Sequence, residues 1–277
     1  MRKNILITGC SSGIGYHAAK SLNSRGWDVF ATCRQEEDCQ KLRDEGLSCF
    51  LLDYKRDDTI LSTLDKIDEL AGGKLDAVFN NGAYALPGFL EDLSRDALRE
   101  IFEVNVFGHI ELIRQAMPLL TASSNPRVIN CSSVLGFAAL PYRGAYNATK
   151  FAIEGFTDTM RRENSSKNIK YILIEPGPIA TNIRKNSIPP FEKWVHWQQS
   201  KHKTVYEKKI IPILYGKDLK KSYFELTPEH VTKKLIHALE SRKPRIRYYV
   251  TSPTYFASAI MRFTPACLQD YFFTRYE

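Results

Sequence analysis

A chain of 277 residues, 43% hydrophobic and 25% charged, has an ordinary globular composition with enough apolar material for a substantial core. It holds no apolar run of about eighteen residues that would read as a membrane span. Its six histidines and six cysteines show no H-x-x-x-H, H-x-H or C-x-x-C spacing, so no metal site is indicated and the cysteines read as reduced core thiols of a cytoplasmic protein.

The N-terminal MRKNILITGCSSGIG passes straight into a strand-like run and a Gly-rich turn, and its apolar stretch is too short for a signal peptide. Short apolar runs with little polar alternation follow at Asn4–Thr8, Asp28–Thr32, Ser48–Leu52, Leu75–Asn80, Arg127–Cys131, Lys170–Glu175 and Ile246–Val250. That is how strands buried on both faces read. Between them the pattern predicts helices over Gly13–Gly26, Glu36–Glu45, Asp57–Ala71, Ser94–Leu120, Tyr142–Asn164 and Pro228–Ser241. Strand–helix alternation implies an α/β fold, a doubly wound parallel sheet of about seven strands with helices on both faces. One domain over residues 1–277 is expected: a core over 1–182, an insertion over 183–227 and an extension over 251–277. The insertion mixes Trp194, Trp197 and many Lys, and reads as a partly helical substrate lid.

Charge is uneven. The net +8 gathers between Arg184 and Arg247, where sixteen Lys and Arg face six Asp and Glu. Such a region suits an anionic membrane, an acidic carrier protein or nucleic acid, or is a solvated basic face, and no nucleic-acid-binding motif accompanies it. The aromatic tail after Thr251 reads as packing against the body or a partner subunit, or as a peripheral membrane-surface segment.

The first strand runs into Thr8-Gly9-Cys10-Ser11-Ser12-Gly13-Ile14-Gly15 and then a helix. Glycines there let backbone approach a pyrophosphate, the helix N-terminus supplies N–H groups, and Ser11 and Ser12 can add hydroxyl donors. The spacing is G-x-x-x-G-x-G, not G-x-G-x-x-G. At the end of the second strand Arg34 stands where an acidic partner for a ribose 2′-hydroxyl would be expected. It could pair with a 2′-phosphate, which favours NADP over NAD, although Glu36 and Glu37 follow closely and Arg34 could equally be a surface residue. Asp53, after the third strand, is placed to accept from the adenine amino group or to serve in a turn.

Later, Gly-Ala-Tyr-Asn-Ala-Thr-Lys-Phe spans residues 144–151. On a helix, Tyr146 and Lys150 share one face. An ammonium beside a phenol favours the phenolate and could bring a group with a free pKa of about 10 toward working pH. An ordinary helix start with an exposed Lys is the other reading.

Together these stretches resemble the short-chain dehydrogenase/reductase family. The Thr8–Gly15 turn has its T-G-x-x-x-G-x-G spacing, Asn80-Asn81-Gly82-Ala83 looks like its N-N-A-G motif with the last two positions swapped, and Asn105 is similar to its helix Asn. Ser133, Tyr146 and Lys150 match its catalytic set, and Pro176-Gly177-Pro178-Ile179-Ala180-Thr181 resembles the segment beside the nicotinamide. The match covers about residues 1–182 and most resembles the branch of NADP-dependent aldehyde reductases, retinol dehydrogenases and hydroxysteroid dehydrogenases.

The resemblance implies a single-domain Rossmann fold and an NADP(H)-dependent interconversion of an apolar aldehyde or ketone with its alcohol. Tyr146 would be the general acid and base, its pKa drop coming from Lys150 and the oxidised nicotinamide. Ser133 would hold the substrate oxygen, and Asn105 would anchor a water that relays protons through Lys150. The implied cofactor set is Thr8, Gly9, Ser11, Ser12, Gly13, Ile14, Gly15, Arg34, Asp53, Tyr54, Asn81, Gly82, Tyr146, Lys150, Pro176, Gly177, Ile179 and Thr181. A homodimer or homotetramer is expected by analogy. Two other functions fit the same motifs: a 3-oxoacyl-carrier-protein reductase, and a catalytically silent NADP(H)-binding sensor or scaffold.

Overall fold

The computed structural model describes residues 2–216 and 224–274. Seven strands form one parallel sheet: β1 (Asn4–Ile7), β2 (Asp28–Cys33), β3 (Ser48–Leu51), β4 (Ala77–Asn80), β5 (Arg127–Cys131), β6 (Lys170–Glu175) and β7 (Arg247–Tyr249). Their order is β3-β2-β1-β4-β5-β6-β7, with Ile5 opposite both Val29 and Ala77. The chain reverses its direction of travel between β1 and β4. In sheets of this kind that point opens a crevice beyond the C-terminal strand ends.

Helices cover both faces: α1 (Gly13–Ser24), α2 (Glu36–Asp44), α3 (Asp57–Ala71), α4 (Arg95–Phe102), α5 (Gly108–Thr121) and α6 (Gly144–Glu163), followed later by α11 (Pro228–Glu240). Between β6 and α11 lie the short helices α7 (Ile183–Asn186), α8 (Ile188–Trp194), α9 (Lys203–Val205) and α10 (Ile211–Tyr215). The chain closes with α12 (Ser252–Phe263) and α13 (Ala266–Thr274). One core layer joins the sheet to α1, α2 and α11 through residues such as Ala18, Leu22, Cys39 and Leu235. The other joins it to α3 and α5 through Ile60, Ile67, Leu112 and Ala116. Every residue of β1, β4 and β5 is buried, which is why these strands read as continuous apolar runs.

Most sequence-based boundaries shift by a residue or two, and three of the differences have a clear local reason. β4 begins at Ala77, not Leu75, because Leu75 N–H donates to Leu119 O at 2.9 Å and Asp76 N–H to Asn4 Oδ1 at 2.7 Å. α6 begins at Gly144, not Tyr142, because Tyr142 has φ of +57°, a left-handed conformation that an α-helix cannot continue through. The single helix expected over Ser94–Leu120 is α4 and α5 joined by a π turn at Glu103–Phe107. Such wide turns are frequent at functional sites, and Asn105 stands at the centre of this one. The basic residues Lys217, Lys220 and Lys221 lie outside the described residues.

Candidate active site

The Gly-rich turn joins β1 to α1 at the crevice. Gly9 takes φ of +68°, and a Cβ there would stand 2.7 Å from Gly82 Cα; a Cβ on Gly15 would stand 2.3 Å from Gly9 O. Neither position admits a side chain, so the turn lies flat against the segment after β4. Ser12 precedes α1 in extended conformation without capping it, and the first turn of α1 carries no acid. Its leading N–H groups and dipole therefore remain available to an anion. Thr181 closes the far side, 3.1 Å from the place of a Gly13 Cβ. Ser11 is exposed and Ile14 half-buried beside it. This cradle fits a pyrophosphate.

The wall behind the cradle is internally bonded. Thr8 Oγ1 accepts from Asn81 N at 2.9 Å, Gly82 N at 3.2 Å and Tyr54 Oη at 2.7 Å. Asn81 Nδ2 donates to Thr8 O at 3.0 Å. Tyr54 is buried, and its hydroxyl also reaches Asn80 Oδ1 at 2.9 Å. The side chains of Thr8 and Tyr54, expected at the cofactor, are thus spent in bracing the wall from behind. His109 Nε2 donates to Gly82 O at 2.7 Å. Burial and the Lys150 charge push His109 down to about 3, so it stays neutral. The swapped Gly82-Ala83 step is therefore held by Thr8 on one side and by His109, an unanticipated brace, on the other.

Where the cofactor's adenosine end is expected, Arg34 is exposed after β2 and has no ion-pair partner among the described residues. Glu36, the nearest acid in sequence with which it might have paired, binds Arg43 instead at 2.5 Å. Asp53 Oδ1 accepts from Lys55 N at 3.0 Å, which gives it the turn role, and the residue remains partly exposed at this edge.

The candidate reacting side chains converge through α6. Lys150 is buried and donates from Nζ to Cys131 O at 2.8 Å, with Nζ 5.5 Å from the centroid of the Tyr146 ring. Ser133, two residues beyond Cys131, accepts from Leu135 N at 3.1 Å and donates to Pro176 O at 3.4 Å. Asn105 Nδ2 donates to Tyr84 O at 2.8 Å and to Thr149 Oγ1 at 3.3 Å, while its Oδ1 accepts from Tyr84 N at 3.1 Å.

The Asn105 amide is engaged by the Tyr84 backbone and the Thr149 hydroxyl. The Tyr146 phenol lies above its ordinary pKa because burial dominates, with the Ser133 hydroxyl acting in the opposite sense. Lys150, itself lowered by burial, spends its ammonium on Cys131 O and is not what sets the phenol in the protein alone.

Pro176-Gly177 leaves β6 beside Ser133. A Gly177 Cβ would stand 2.1 Å from Thr251 Oγ1, and Ala180 N–H pairs with Leu226 O at 2.9 Å next to the Ile179–Leu226 bridge. Behind this segment Arg247 of β7 binds Glu154 of α6, reaches Glu175 of β6 at 2.6 Å and Asp158 of α6 at 2.9 Å. Sequence reading missed this hub, because its partners lie 72 to 93 residues from Arg247.

Over the cleft, Tyr146 joins an apolar cluster with Leu86, Leu93, Phe191, Val195, Tyr206 and Leu214. Tyr206 is fully buried; its hydroxyl donates to Asp92 Oδ2 at 2.8 Å and accepts from Phe89 N at 2.9 Å. Phe89 stacks on His202 at 3.8 Å and leans on Tyr142 at 4.9 Å. Tyr142, whose only sequence signal is its place just before the small-residue helix start, thus joins the 88–89 loop to the mouth of α6. A cavity of about 540 Å³ lined by Phe191, Val195, Trp197, Ile211 and Tyr215 touches neither Ser133 nor Tyr146, so it is not the reaction cleft.

Comparison with known proteins agrees with this geometry. The family model described as short chain dehydrogenase matches residues 3–190. An uncharacterized oxidoreductase of Escherichia coli, YbbO, is 34% identical over 270 residues, covering 98% of this chain and 93% of its own. Retinol dehydrogenase 7 of Mus musculus is 31% identical over 259 residues, covering 89% of this chain and 79% of its own. A short chain dehydrogenase/reductase from Burkholderia phymatum, solved in complex with NAD, superposes with a TM-score of 0.75 at 23% identity, covering 94% of this chain and 92% of its own. The turn, the Ser133–Tyr146–Lys150 constellation and these likenesses converge on one conclusion: the chain is an oxidoreductase of the short-chain dehydrogenase/reductase family.

Proposed function

We propose that the protein uses NADP(H) to interconvert an apolar aldehyde or ketone and the corresponding alcohol. The observation that carries this reading is the meeting of Tyr146, Ser133 and Lys150 beside the anion cradle of α1. The nicotinamide cofactor supplies the hydride chemistry. Ser133 orients the substrate oxygen toward the Tyr146 hydroxyl, which donates its proton as that oxygen gains charge. A phenol held protonated by burial is in the right state to donate. Lys150 holds α6 to β5 and carries positive charge into the site, where it favours the developing phenolate. The π turn around Asn105 offers backbone for a relay water. The apolar cluster over Tyr146 favours a lipid aldehyde, retinoid or steroid-like substrate over an acyl-carrier protein, and relatives named as retinol and hydroxysteroid dehydrogenases support the same class.

NADP preference rests on Arg34, a cation without a carboxylate partner among the described residues, at the proposed adenosine end. In Arg34→Gln the KM for NADPH is expected to rise by about tenfold or more, the worth of one charge-assisted contact, while the KM for NADH changes less than twofold. Equal shifts for the two cofactors would contradict the assignment.

A second reading concerns the tail. α12 buries Thr254, Ala257 and Ile260 against the body, yet leaves Phe256 64% and Phe263 79% exposed. Arg262 lies over the Phe263 ring, 6.0 Å from its centroid, and exposed Arg242, Lys243 and Arg245 precede β7 in the chain. Aromatics flanked by cations suit the interface of an anionic membrane. The wild type is expected to co-sediment with phosphatidylserine vesicles at low salt, and a Phe256→Asp/Phe263→Asp variant to remain in the supernatant. Identical sedimentation of the two would contradict it.

A further inference from the structure

Beneath Arg34, on the α2 face of the sheet, three cysteines come together that their spacing of six and ten residues gives no reason to associate. Cys33 ends β2, Cys39 lies on α2 and Cys49 lies in β3, and all three are buried. Their sulfur atoms all lie within 4.8 Å of one another. Cys49 Sγ is 3.9 Å from Cys33 Sγ, and Cys39 Sγ is 3.8 Å from Cys33 O.

The Cys33–Cys49 pair has poor geometry for a disulfide. Cys33 stands opposite Leu51 in the β2–β3 register, and Cys49 opposite Ala31. The pair is therefore diagonal. A strand spacing of about 4.8 Å and a two-residue offset of about 6.6 Å put the Cα atoms about 8 Å apart, beyond the reach of about 7 Å that a disulfide tolerates. It is good geometry for a shared ion. With metal–sulfur bonds of about 2.3 Å, thiolates around one ion stand about 3.8 Å apart when tetrahedral and about 4.0 Å apart when trigonal. The observed separations need a contraction of less than about 1 Å to reach either arrangement.

We propose that Cys33, Cys39 and Cys49 form a binding site for one thiophilic divalent d¹⁰ cation of the zinc type. Soft thiolates select such ions over Mg²⁺ and Ca²⁺. Binding is a displacement without redox change: three S–H bonds break, three metal–sulfur bonds form, and three protons leave to solvent. The buried product carries one net negative charge with a divalent ion and would carry two with Cu(I), so the divalent ion costs less desolvation. Arg43 stands beside it, donating from Nε to Cys49 O at 2.9 Å while its guanidinium pairs with Glu36. β3 is an edge strand and α2 has nine residues, so opening of this margin gives the ion a path inward. Thiols bind such an ion as thiolates, so uptake releases protons and is stronger at high pH. Cys10 lies close by, but its thiol donates to Ile7 O at 3.2 Å and is left outside the set.

The test is titration of the full chain with Cd²⁺ under anaerobic, phosphine-reduced conditions, in a Cys267→Ser background that removes the one exposed thiol among the described residues. The expected result is a sulfur-to-cadmium charge-transfer absorption that saturates at one ion per chain and is reversed by Zn²⁺. About three protons are released per ion and the melting temperature rises. Cys39→Ser and Cys49→Ser each lose the absorption, while Cys10→Ser keeps it. Far-ultraviolet circular dichroism separates loss of the site from loss of the fold. If a single variant does not fold, the stoichiometry and proton count of the parent still decide. No saturable absorption in the folded parent, release of a single proton, or an absorption retained in a folded Cys39→Ser variant would overturn the proposal.

Discussion

Tyr146→Phe is expected to lower kcat for carbonyl reduction by about 10²- to 10⁴-fold, the usual range for removal of a general acid, while the Kd for NADPH changes less than threefold. The reason for the split is positional. The phenol ring packs in the apolar cluster with Leu86, Leu93 and Phe191, and Phe preserves that packing. Only the hydroxyl beside Ser133 is lost. The anion cradle of Gly9, Gly13 and Gly15 belongs to a different segment and stays intact. Stopped-flow single turnover with NADPH, together with binding by nicotinamide fluorescence, separates the two effects. Near-wild-type turnover in this variant would show that the proton comes from elsewhere.

Arg247→Met is expected to destabilise the protein strongly while leaving Ser133, Tyr146 and Lys150 in place. Arg247 faces Glu154, Glu175 and Asp158, while Arg161 also binds Asp158 at 2.8 Å. Arg161 and, at 4.0 Å, Arg162 satisfy Asp158, which leaves the buried Glu154–Glu175 pair to share Arg247, two acids against one cation, and burial drives a proton onto that pair. Both carboxyls lie above their usual range, Glu175 pushed up to about 9. That proton also supplies a donor for Glu154 Oε1 and Glu175 Oε2, which are buried without a partner. Removing the guanidinium strands this cluster and costs about 3–5 kcal/mol, a melting-temperature loss of roughly 10 °C in a chain of this size.

The pH dependence follows from the same raised carboxyls. A group whose folded pKa lies above its unfolded value contributes stability below the unfolded value and loses it as pH rises through the folded one. Glu154 and Glu175 therefore make the wild type less stable as pH climbs from about 5 toward 9. Asp158, held below its ordinary value by Arg161 and Arg247, adds the opposite trend at the acid end. Urea midpoints across this range should fall in the wild type and fall more steeply in Arg247→Met. A second change, Glu175→Gln, should restore part of the loss. A cost below about 1 kcal/mol with a flat pH profile would show that the hub is not electrostatically loaded.

What the sequence made legible was local. A T-G-x-x-x-G-x-G turn after a buried strand, and a Tyr and Lys one helical turn apart, each need only a few neighbouring residues to make their physical sense. Seven strands and their parallel order follow from alternation and short apolar runs. What stayed illegible depended on distant partners or on backbone choices with weak sequence signals. Nothing in Pro141-Tyr142-Arg143 announces a left-handed Tyr, so the start of α6 was read two residues early. The π turn cannot be told from an ordinary helix by periodicity, and the capture of Asn105 by the Tyr84 backbone depends on that turn. Tyr54 sits beside Asp53 in the chain but faces the opposite way, under Thr8. The depth at which the Tyr146 phenol lies was equally illegible, and in the protein alone desolvation holds that phenol above its ordinary pKa.

The most direct test of the account is steady-state oxidation of NADPH and, in parallel, NADH by the purified protein, with medium-chain aldehydes, retinal and a ketosteroid as acceptors. The account predicts turnover with at least one of these carbonyls, a higher kcat/KM with NADPH than with NADH, and loss of that activity in Tyr146→Phe. A protein that binds NADPH yet turns over none of the panel with either cofactor would contradict it, and would make this chain a cofactor-binding sensor with an idle Ser133–Tyr146–Lys150 set.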